Sequence, residues 1–532
     1  MKNTISIFTL LFLIVNFQNV SSQQRGLQFG EIMWQITVPD NPGTTSQDKQ
    51  IRSLKQIPDV NGDNVNDVVV ATENYWTLCY SGIDGALLWQ YSTHFGMINT
   101  GSVDWEDAME IADVNNDGIY DVVIGCGGGN EMVYALNGSG GNVLWSYGNS
   151  TTTNDGDIES VSIRYDYNGD GIKDVLVAAS GTSTGGRHAA ICLNALNGEV
   201  IFYRTQPQPY TDDIVAAEWG GAIGVNNNGS PYGVNGFDTT GNAVWSYNAS
   251  GNIWSLKEIP DINSDGKKDI IGLGGFSGGI FAVSGASGVQ IWAQNLGSSN
   301  NGKITILDDA NGNGFADFTL SAPQSAFRID TKTGNTIWSN PIGSSYLRGI
   351  DNIGDVTGDN IDDIVIATQL PPRLLVLNGF TGEILFDYSF GSTLTQRGDR
   401  TAVLNDVDTN GVNEFLGGNR EGRVICFYGG NGTVTSVQQI SGTLPEGYEL
   451  YQNYPNPFNP NTIIKFNIPE KDFVSLKVFD ALGRIVNERV NSVQDQGLHS
   501  VSFDGSGLSG GVYYYVLETP QFRMTKSMIL LK

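Results

Sequence analysis

The sequence predicts an all-β molecule: a β-propeller of eight four-stranded blades, with seven as the neighbouring count, followed by a small Ig-like β-sandwich. Three observations predict it. An acidic loop flanked by apolar β-formers recurs along the chain. A glycine turn running into an aromatic strand end recurs with it. Glycine, at 68 of 532 residues, is about twice its usual share without a G-X-Y period, which means many turns and many short strands.

The loop reads D-x-[NDT]-x-[DN]-x-x-x-[DE] and starts at Asp59, Asp113, Asp166, Asp261, Asp309, Asp355 and Asp406. The aromatic marks fall at Trp89, Trp145, Phe202, Trp245, Trp292, Trp338 and Phe386. The interval from Phe202 to Trp245 is the shortest and contains no acidic loop. Aligning the chain from Asp213 with the chain from Asn252 shows a repeat that is intact but has lost its loop, and counting it makes eight. Four strands in a period of about 40–55 residues make a propeller blade; the rungs of an open β-solenoid are shorter. One blade cannot bury both its faces, and closing a ring buries all of them. An extra copy of the strand-end mark, Gly30-Glu-Ile-Met-Trp34, precedes the first blade. It is expected to close the ring as the outer strand of the last blade, with residues 433–437 as the competing strand.

Composition sets the compartment and excludes some partners. Lys and Arg number 29 against 56 Asp and Glu, a formal charge of −27. No nucleic-acid or anionic-membrane partner is expected, because both need a basic footprint. Charged residues are only 16% and hydrophobic ones 40%, which excludes wholesale disorder. Lys2, an apolar run over residues 5–17 and small residues at Val20, Ser21 and Ser22 read as a secretory signal over 1–22. The run is shorter than the roughly 20 residues of a membrane anchor, and no transmembrane segment is expected in the mature chain. The expected units are then a propeller over 23–440 and a second domain over 441–532. Cys79, Cys126, Cys192 and Cys426 are expected to be buried and unpaired. Three of them, Cys79, Cys192 and Cys426, occupy similar places in separate repeats, too far apart for the roughly 4.4–6.8 Å a disulfide allows.

The odd positions of each loop carry oxygen. The sets are Asp59, Asn61, Asp63 and Asp67 with the Val65 carbonyl; Asp113, Asn115, Asp117 and Asp121 with Ile119; Asp166, Asn168, Asp170 and Asp174 with Ile172. They continue with Asp261, Asn263, Asp265 and Asp269 with Lys267; Asp309, Asn311, Asn313 and Asp317 with Phe315. Asp355, Thr357, Asp359 and Asp363 with Ile361, and Asp406, Asp408, Asn410 and Glu414 with Val412, end the series. This is the EF-hand spacing, shortened so that a carboxylate arrives at position nine, with Gly or Asn at position six for the bend. Several structural Ca²⁺ ions are expected, since Ca²⁺ takes six to eight hard oxygens and a site repeated in so many blades is not one active centre. The fifth set, from Asp309, is the weakest, with two carboxylates.

No nucleophile elbow, zinc motif or phosphate loop is present, three histidines leave little for His-based chemistry, and no catalytic residue is assigned. Residues seven before each loop, among them Arg52 and Arg348, are expected at one end of the central channel together with Arg400, opposite an acidic side that includes Asp213. Longer connections over 91–104, 180–188 and 203–212 add Trp105, Arg187, His188 and Tyr210. These seven (Arg52, Trp105, Arg187, His188, Tyr210, Arg348 and Arg400) are the candidate ligand residues, for a glycan or protein ligand in a binding or adhesion module. The alternative is a polysaccharide-active, lyase-like enzyme with Arg187 or His188 beside a loop carboxylate.

The acidic loops beside β-strands resemble the FG-GAP repeats of integrin α-chain propellers and of secreted bacterial proteins. The segment Ala135-Leu-Asn-Gly-Ser-Gly-Gly-Asn-Val-Leu-Trp145 resembles the tryptophan-docking repeat of PQQ-like propellers, although this chain has no vicinal Cys pair of the kind the quinone enzymes carry. After about residue 440 the acidic loops stop. A proline-dense entry over 444–460 leads to strands expected at 462–468, 474–480, 499–504, 512–517 and 528–531. Asn453-Tyr-Pro-Asn-Pro-Phe-Asn-Pro460, Val478-Phe-Asp-Ala-Leu-Gly-Arg484, Ser509-Gly-Gly-Val-Tyr-Tyr-Tyr515 and Lys526-Ser-Met-Ile-Leu-Leu-Lys532 together resemble the type A sorting domain of type IX secretion cargo. That resemblance implies export across an outer membrane, the type IX machinery and its sortase as partners, and release or anchoring at the cell surface.

Overall fold

The computed structural model describes residues 28–532 apart from residues 45–46, 95–107, 128–130, 149–155, 182–187, 209, 228–230, 276–278, 297–301, 323, 345, 431–437, 442–447, 451–452, 454–455, 470, 481–483, 495–496 and 521. The expected signal at 1–22 and the competing strand at 433–437 lie outside the described residues.

Blade one runs Ile51–Ile57, Asp67–Thr72, Trp76–Tyr80 and Leu87–Ser92 in antiparallel order. The next six blades repeat it from inner strands Met109–Ala112, Asp157–Ile163, Tyr210–Ala217, Ile253–Ile259, Ile304–Ile306 and Leu347–Gly354. Blade eight takes Gly398–Leu404, Glu414–Asn419 and Arg423–Phe427 from the end of the repeats. Its outer strand is the N-terminal Ile32–Thr37, with Trp34 opposite Cys426. Each inner strand touches the next around the ring, and the eighth touches the first, so the ring closes at eight. The strand Gln438–Ser441 adds to blade seven instead, parallel to Ile384–Ser389.

The packing explains the sequence pattern. Each pair of neighbouring blades shares one apolar cluster, so the second strand of a blade is buried on both faces. In Asp67–Thr72, Val68 and Val70 face Trp34 and Leu416 of blade eight, while Val69 and Ala71 face Met109 and Val122 of blade two. That is why these strands read as continuous Val/Ile/Ala runs rather than as alternating ones. The outer strands do alternate: Leu87 is exposed and Trp89 buried.

The glycine turn and the aromatic mark are two halves of one joint. Trp89 of blade one donates its indole N–H to the Gly138 carbonyl of blade two at 2.6 Å. The ring lies so close to Gly141 that a Cβ there would sit 2.5 Å from Trp89 Cε3. Gly141 has φ +68°, which glycine adopts without cost. The same bond joins Trp34 to Gly82 (2.8 Å), Trp145 to Ala195 (2.6 Å), Trp245 to Gly285 (2.9 Å), Trp292 to Thr331 (3.0 Å) and Trp338 to Gly379 (2.7 Å). Phe202 and Phe386 fill the place without the bond, against Gly241 and Gly30. All four cysteines are buried, and no disulfide joins any two of them. Cys79, Cys192 and Cys426 stand opposite Trp89, Phe202 and Trp34, one equivalent place in three blades.

After the propeller, Glu449–Leu450, Asn461–Ile468 and Gly497–Asp504 form a three-stranded sheet. Ile485–Gln494, Asp472–Phe479, Gly511–Glu518 and Arg523–Leu530 form a four-stranded one. Ile464, Phe466 and Phe503 of the first share a core with Leu476, Tyr515 and Met528 of the second. The expected list lacks Ile485–Gln494 and starts the last strand at 528 rather than at Arg523. Both departures fall on strands at the edges of the four-stranded sheet, where Asn487, Glu488, Arg489, Thr525 and Lys526 dilute the apolar pattern.

Candidate metal centres and the two ends of the channel

All seven acidic loops adopt one conformation. Position six is left-handed in every copy: Asn64, Gly118, Gly171, Gly266, Gly314, Asn360 and Gly411. So is position four, at Gly62, Asn116, Gly169, Ser264, Gly312, Gly358 and Thr409, a requirement the sequence reading did not anticipate. The first carboxylate of each loop accepts the N–H of position six, from Asp59 with Asn64 (2.7 Å) to Asp406 with Gly411 (2.7 Å). The ninth residue is fully buried in every loop and accepts the N–H of position two, as Asp67 does from Val60 (2.9 Å) and Glu414 from Val407 (2.8 Å).

Burial and the neighbouring loop carboxylates push the ninth group up. Asp67, Asp121, Asp174 and Asp269 are raised to about 6, and Asp363 and Glu414 to about 7. Two donor sets bear most directly on a cation. Asp261, Asp265 and Asp269 bring one carboxylate oxygen each to within 4.8 Å of one another, so this group could hold a metal ion. Glu414 Oε1 is buried with no hydrogen-bond partner, and so is Asp317 Oδ1, whose carboxylate is engaged by Arg328 through Oδ2. The all-oxygen chemistry fits a hard divalent cation.

The inner strands run from one end of the ring to the acidic loops at the other. Each of the residues seven before a loop that belongs to a described strand is a β-bulge: Arg52, Glu159, Trp254, Arg348 and Asp399. A bulge leaves its residue out of the ladder and re-aims its side chain, which accounts for their shared position near the strand start. His188 precedes Ala189–Leu193, and Tyr210 opens Tyr210–Ala217, so the described candidates all belong to this end, opposite the acidic loops. Trp105 and Arg187 lie outside the described residues. Tyr210 is a strand residue paired with Asn226, not a loop residue, because Val200–Thr205 and Tyr210–Ala217 consume most of the expected connection.

At this end arginines gather from blades one, seven and eight. Arg52 pairs with Glu73. Arg400, fully buried, donates Nε to the Arg52 carbonyl (2.6 Å) and Nη1 to the Asp399 carbonyl (2.7 Å). Asp399 lies 3.2 Å from Arg397 and accepts from Gln369 (3.0 Å). Arg348 Nε is buried with no hydrogen-bond partner. Burial first, then Arg400 beside it, brings Arg348 down to about 10. Asp213, expected on the acidic side of the mouth, is instead buried between blades: burial raises it, opposed by Lys257. Deeper in the channel is a cavity of about 430 Å³. Lys55, Glu110, Lys257, Lys303 and Asp351 are among its lining residues, and Lys55 and Glu110 are paired at 3.3 Å.

Comparison with known proteins agrees with this architecture. A family model described as outer membrane protein assembly factor BamB matches residues 27–219 and 173–370. The chain belongs to this family of PQQ-like propellers. A model described as secretion system C-terminal sorting domain matches residues 452–531. This BamB-type propeller is therefore a type IX secretion cargo, exported across the outer membrane to the cell surface or beyond, and its C-terminal domain addresses that machinery. Among solved structures, Sqt1 of Saccharomyces cerevisiae is 9% identical with a TM-score of 0.53, over 75% of this chain and 99% of its own. BamB from Moraxella catarrhalis is 16% identical, TM-score 0.45, over 75% and 97%. The V. cholerae biofilm matrix protein Bap1 is 15% identical, TM-score 0.48, over 75% and 91%. The Sqt1 likeness shows the fold. No curated protein matches the chain. Among the described residues, no helix is long and apolar enough to cross a membrane.

Proposed function

We propose that the BamB-type propeller is a calcium-stabilised extracellular binding module. Its signal over 1–22 is removed on export, and a sortase removes the domain over 441–532. The observation that supports the calcium reading is the sevenfold repetition of one turn with oxygen at each odd position. A catalytic group is needed once; an ion that locks the first two strands of a blade is useful in any blade that carries the loop. Calcium fits better than magnesium, which keeps its waters and demands strict octahedral geometry.

The ligand end is the strand-start end, around Arg52, Arg348 and Arg400. Arg348 supports this reading, since a buried guanidinium nitrogen without a partner is costly unless an acceptor is supplied. An oxyanion supplies it, and the carboxylate or sulfate of an extracellular glycan matches the fork of an arginine. The test is calorimetric titration of the mature protein with uronate-rich and sulfated oligosaccharides. Binding at least tenfold weaker in Arg348→Gln, with the melting temperature kept, is the expected result. Equal affinity in the variant rejects the site, and indifference of the melting curve to EGTA rejects the calcium.

A further inference from the structure

Six of the seven acidic loops share a surrounding that the loop of blade six lacks. In the third strand of those six blades, the residue opposite the docking aromatic is small or apolar: Cys79, Ala135, Cys192, Ala282, Val376 and Cys426. In blade six it is Arg328, opposite Trp338, and it is fully buried. A buried charge persists only with partners. Arg328 Nε donates to the ninth-position carboxylate, Asp317 Oδ2, at 3.1 Å. Its Nη2 donates to Asp308 Oδ1 (2.7 Å) and to the Asp308 carbonyl (2.8 Å), and Nη1 to the Gly379 carbonyl of blade seven (2.9 Å).

The rest of the loop is rearranged around that charge. Elsewhere a turn side chain donates into the fifth-position carboxylate: Asn194 to Asp170 (2.8 Å), Ser284 to Asp265 (2.5 Å) and Asn378 to Asp359 (2.7 Å). In blade six the direction is reversed. The loop amides of Asn311 and Asn313 donate to Asp330 Oδ2 at 3.1 and 3.0 Å. The loop has an amide at position five, as blade eight does with Asn410, but it lacks the carboxylate that blade eight adds at position three with Asp408, and its ninth-position carboxylate already faces a fixed positive charge.

We propose that the blade-six loop holds no divalent ion, because Arg328 is its resident cation. The inference rests on the calcium reading of the other loops. The guanidinium would lie against any ion held by Asp317, and like charges repel strongly where water is scarce. Blade six is thus locked permanently, while its neighbours depend on the calcium of their surroundings.

Two measurements on the mature protein test this. Calcium per chain is determined by atomic emission after gel filtration in millimolar CaCl₂. Hydrogen exchange is then compared in CaCl₂ and in EGTA, for peptides covering the second strand of each blade. Six ions per chain are expected, with calcium-dependent protection in Asp121–Gly125, Asp269–Gly274 and their counterparts but equal exchange in both buffers for Phe318–Ala322. A seventh ion, or calcium-dependent protection of Phe318–Ala322, overturns the proposal and leaves the calcium reading standing. No bound calcium and no protection in any blade overturns both. Neither readout depends on an Arg328 variant that might not fold.

Discussion

Ser160 of blade three donates its hydroxyl to Asp213 of blade four at 2.6 Å. The other oxygen of Asp213 accepts the N–H of Leu256 in blade five at 2.7 Å. One buried carboxylate thus joins three consecutive blades, in the blade that has lost its acidic loop. Its inner strand instead turns directly from Ala217 to Gly220. Asp213→Ala strands a buried hydroxyl and a buried N–H, and should destabilise the protein by about 2–4 kcal/mol. Ser160→Ala removes one bond and should cost about 1–2 kcal/mol. Urea unfolding of the two single variants and the double one checks both. Coupling between them is expected, and strict additivity would mean that the two side chains do not act as a unit.

Asp212 beside it sets a pH dependence. Burial raises it from 3.8 to about 6, against the N–H groups of Ile253 and Asn226 that lower it. The folded state therefore disfavours its ionised form. That penalty is fully present above pH 6, and shrinks as the pH falls through 6 toward the unfolded value near 4. Asp212→Asn keeps an acceptor for the Ile253 N–H, and its new NH₂ is met by the oxygen of Asn226 once that amide, which now donates to Asp212, flips. In saturating calcium, the variant should be more stable than the parent at pH 7.5 and level with it near pH 4. A constant difference across that range, read by denaturant midpoints, would show that Asp212 does not titrate in the window.

Ring closure gives a third expectation. Trp34 is the only docking aromatic contributed by the N-terminal strand, and it is buried against Leu416 and Val424 as well as bonded to Gly82. Trp34→Phe should cost about 1 kcal/mol for the lost hydrogen bond, and Trp34→Ala about 3–5 kcal/mol for the cavity. Removing the chain through Thr37 leaves blade eight three-stranded and exposes the edge of Arg423–Phe427. Calorimetry of that truncation should lose the single cooperative transition, because no other described strand covers that edge.

Much of this was legible in the residues. The spacing of Asp59, Asp113 and their copies marks the blades, and Gly30 to Trp34 announces the closing strand, because a loop repeated seven times and a strand-end mark repeated eight times average out the ambiguity of any one copy. The equivalence of Cys79, Cys192 and Cys426 could be read for the same reason. What could not be read depends on contacts between repeats. Asp213 looks like any surface carboxylate until Ser160 and Leu256 are placed around it. Arg328 looks like a solvated strand residue, since nothing local says that its strand is buried on both faces. The offset that picks out Arg52 and Arg348 was visible, but the bulge that gives it meaning is a register shift between two strands. Strand Ile485–Gln494 was missed because an exposed edge carries little apolar signal.

Two glycines separate steric clash from backbone strain. Gly118 and Gly141 belong to the same blade and both have positive φ, +86° and +68°. A Cβ on Gly118, at position six of its loop, meets nothing within 4 Å, whereas one on Gly141 meets three atoms of the Trp89 ring, the nearest at 2.5 Å. Gly118→Ala therefore carries only the left-handed penalty, about 1–2 kcal/mol. Gly141→Ala adds a ring that must move out of a joint it shares with the Gly138 carbonyl, and should lose about 3 kcal/mol or more. Pairing Gly141→Ala with Trp89→Leu should recover part of that loss, since the smaller side chain vacates the space. If Gly141→Ala were no worse than Gly118→Ala in urea, the docking of each aromatic beneath the next blade's glycine would not be what sets the spacing of the blades.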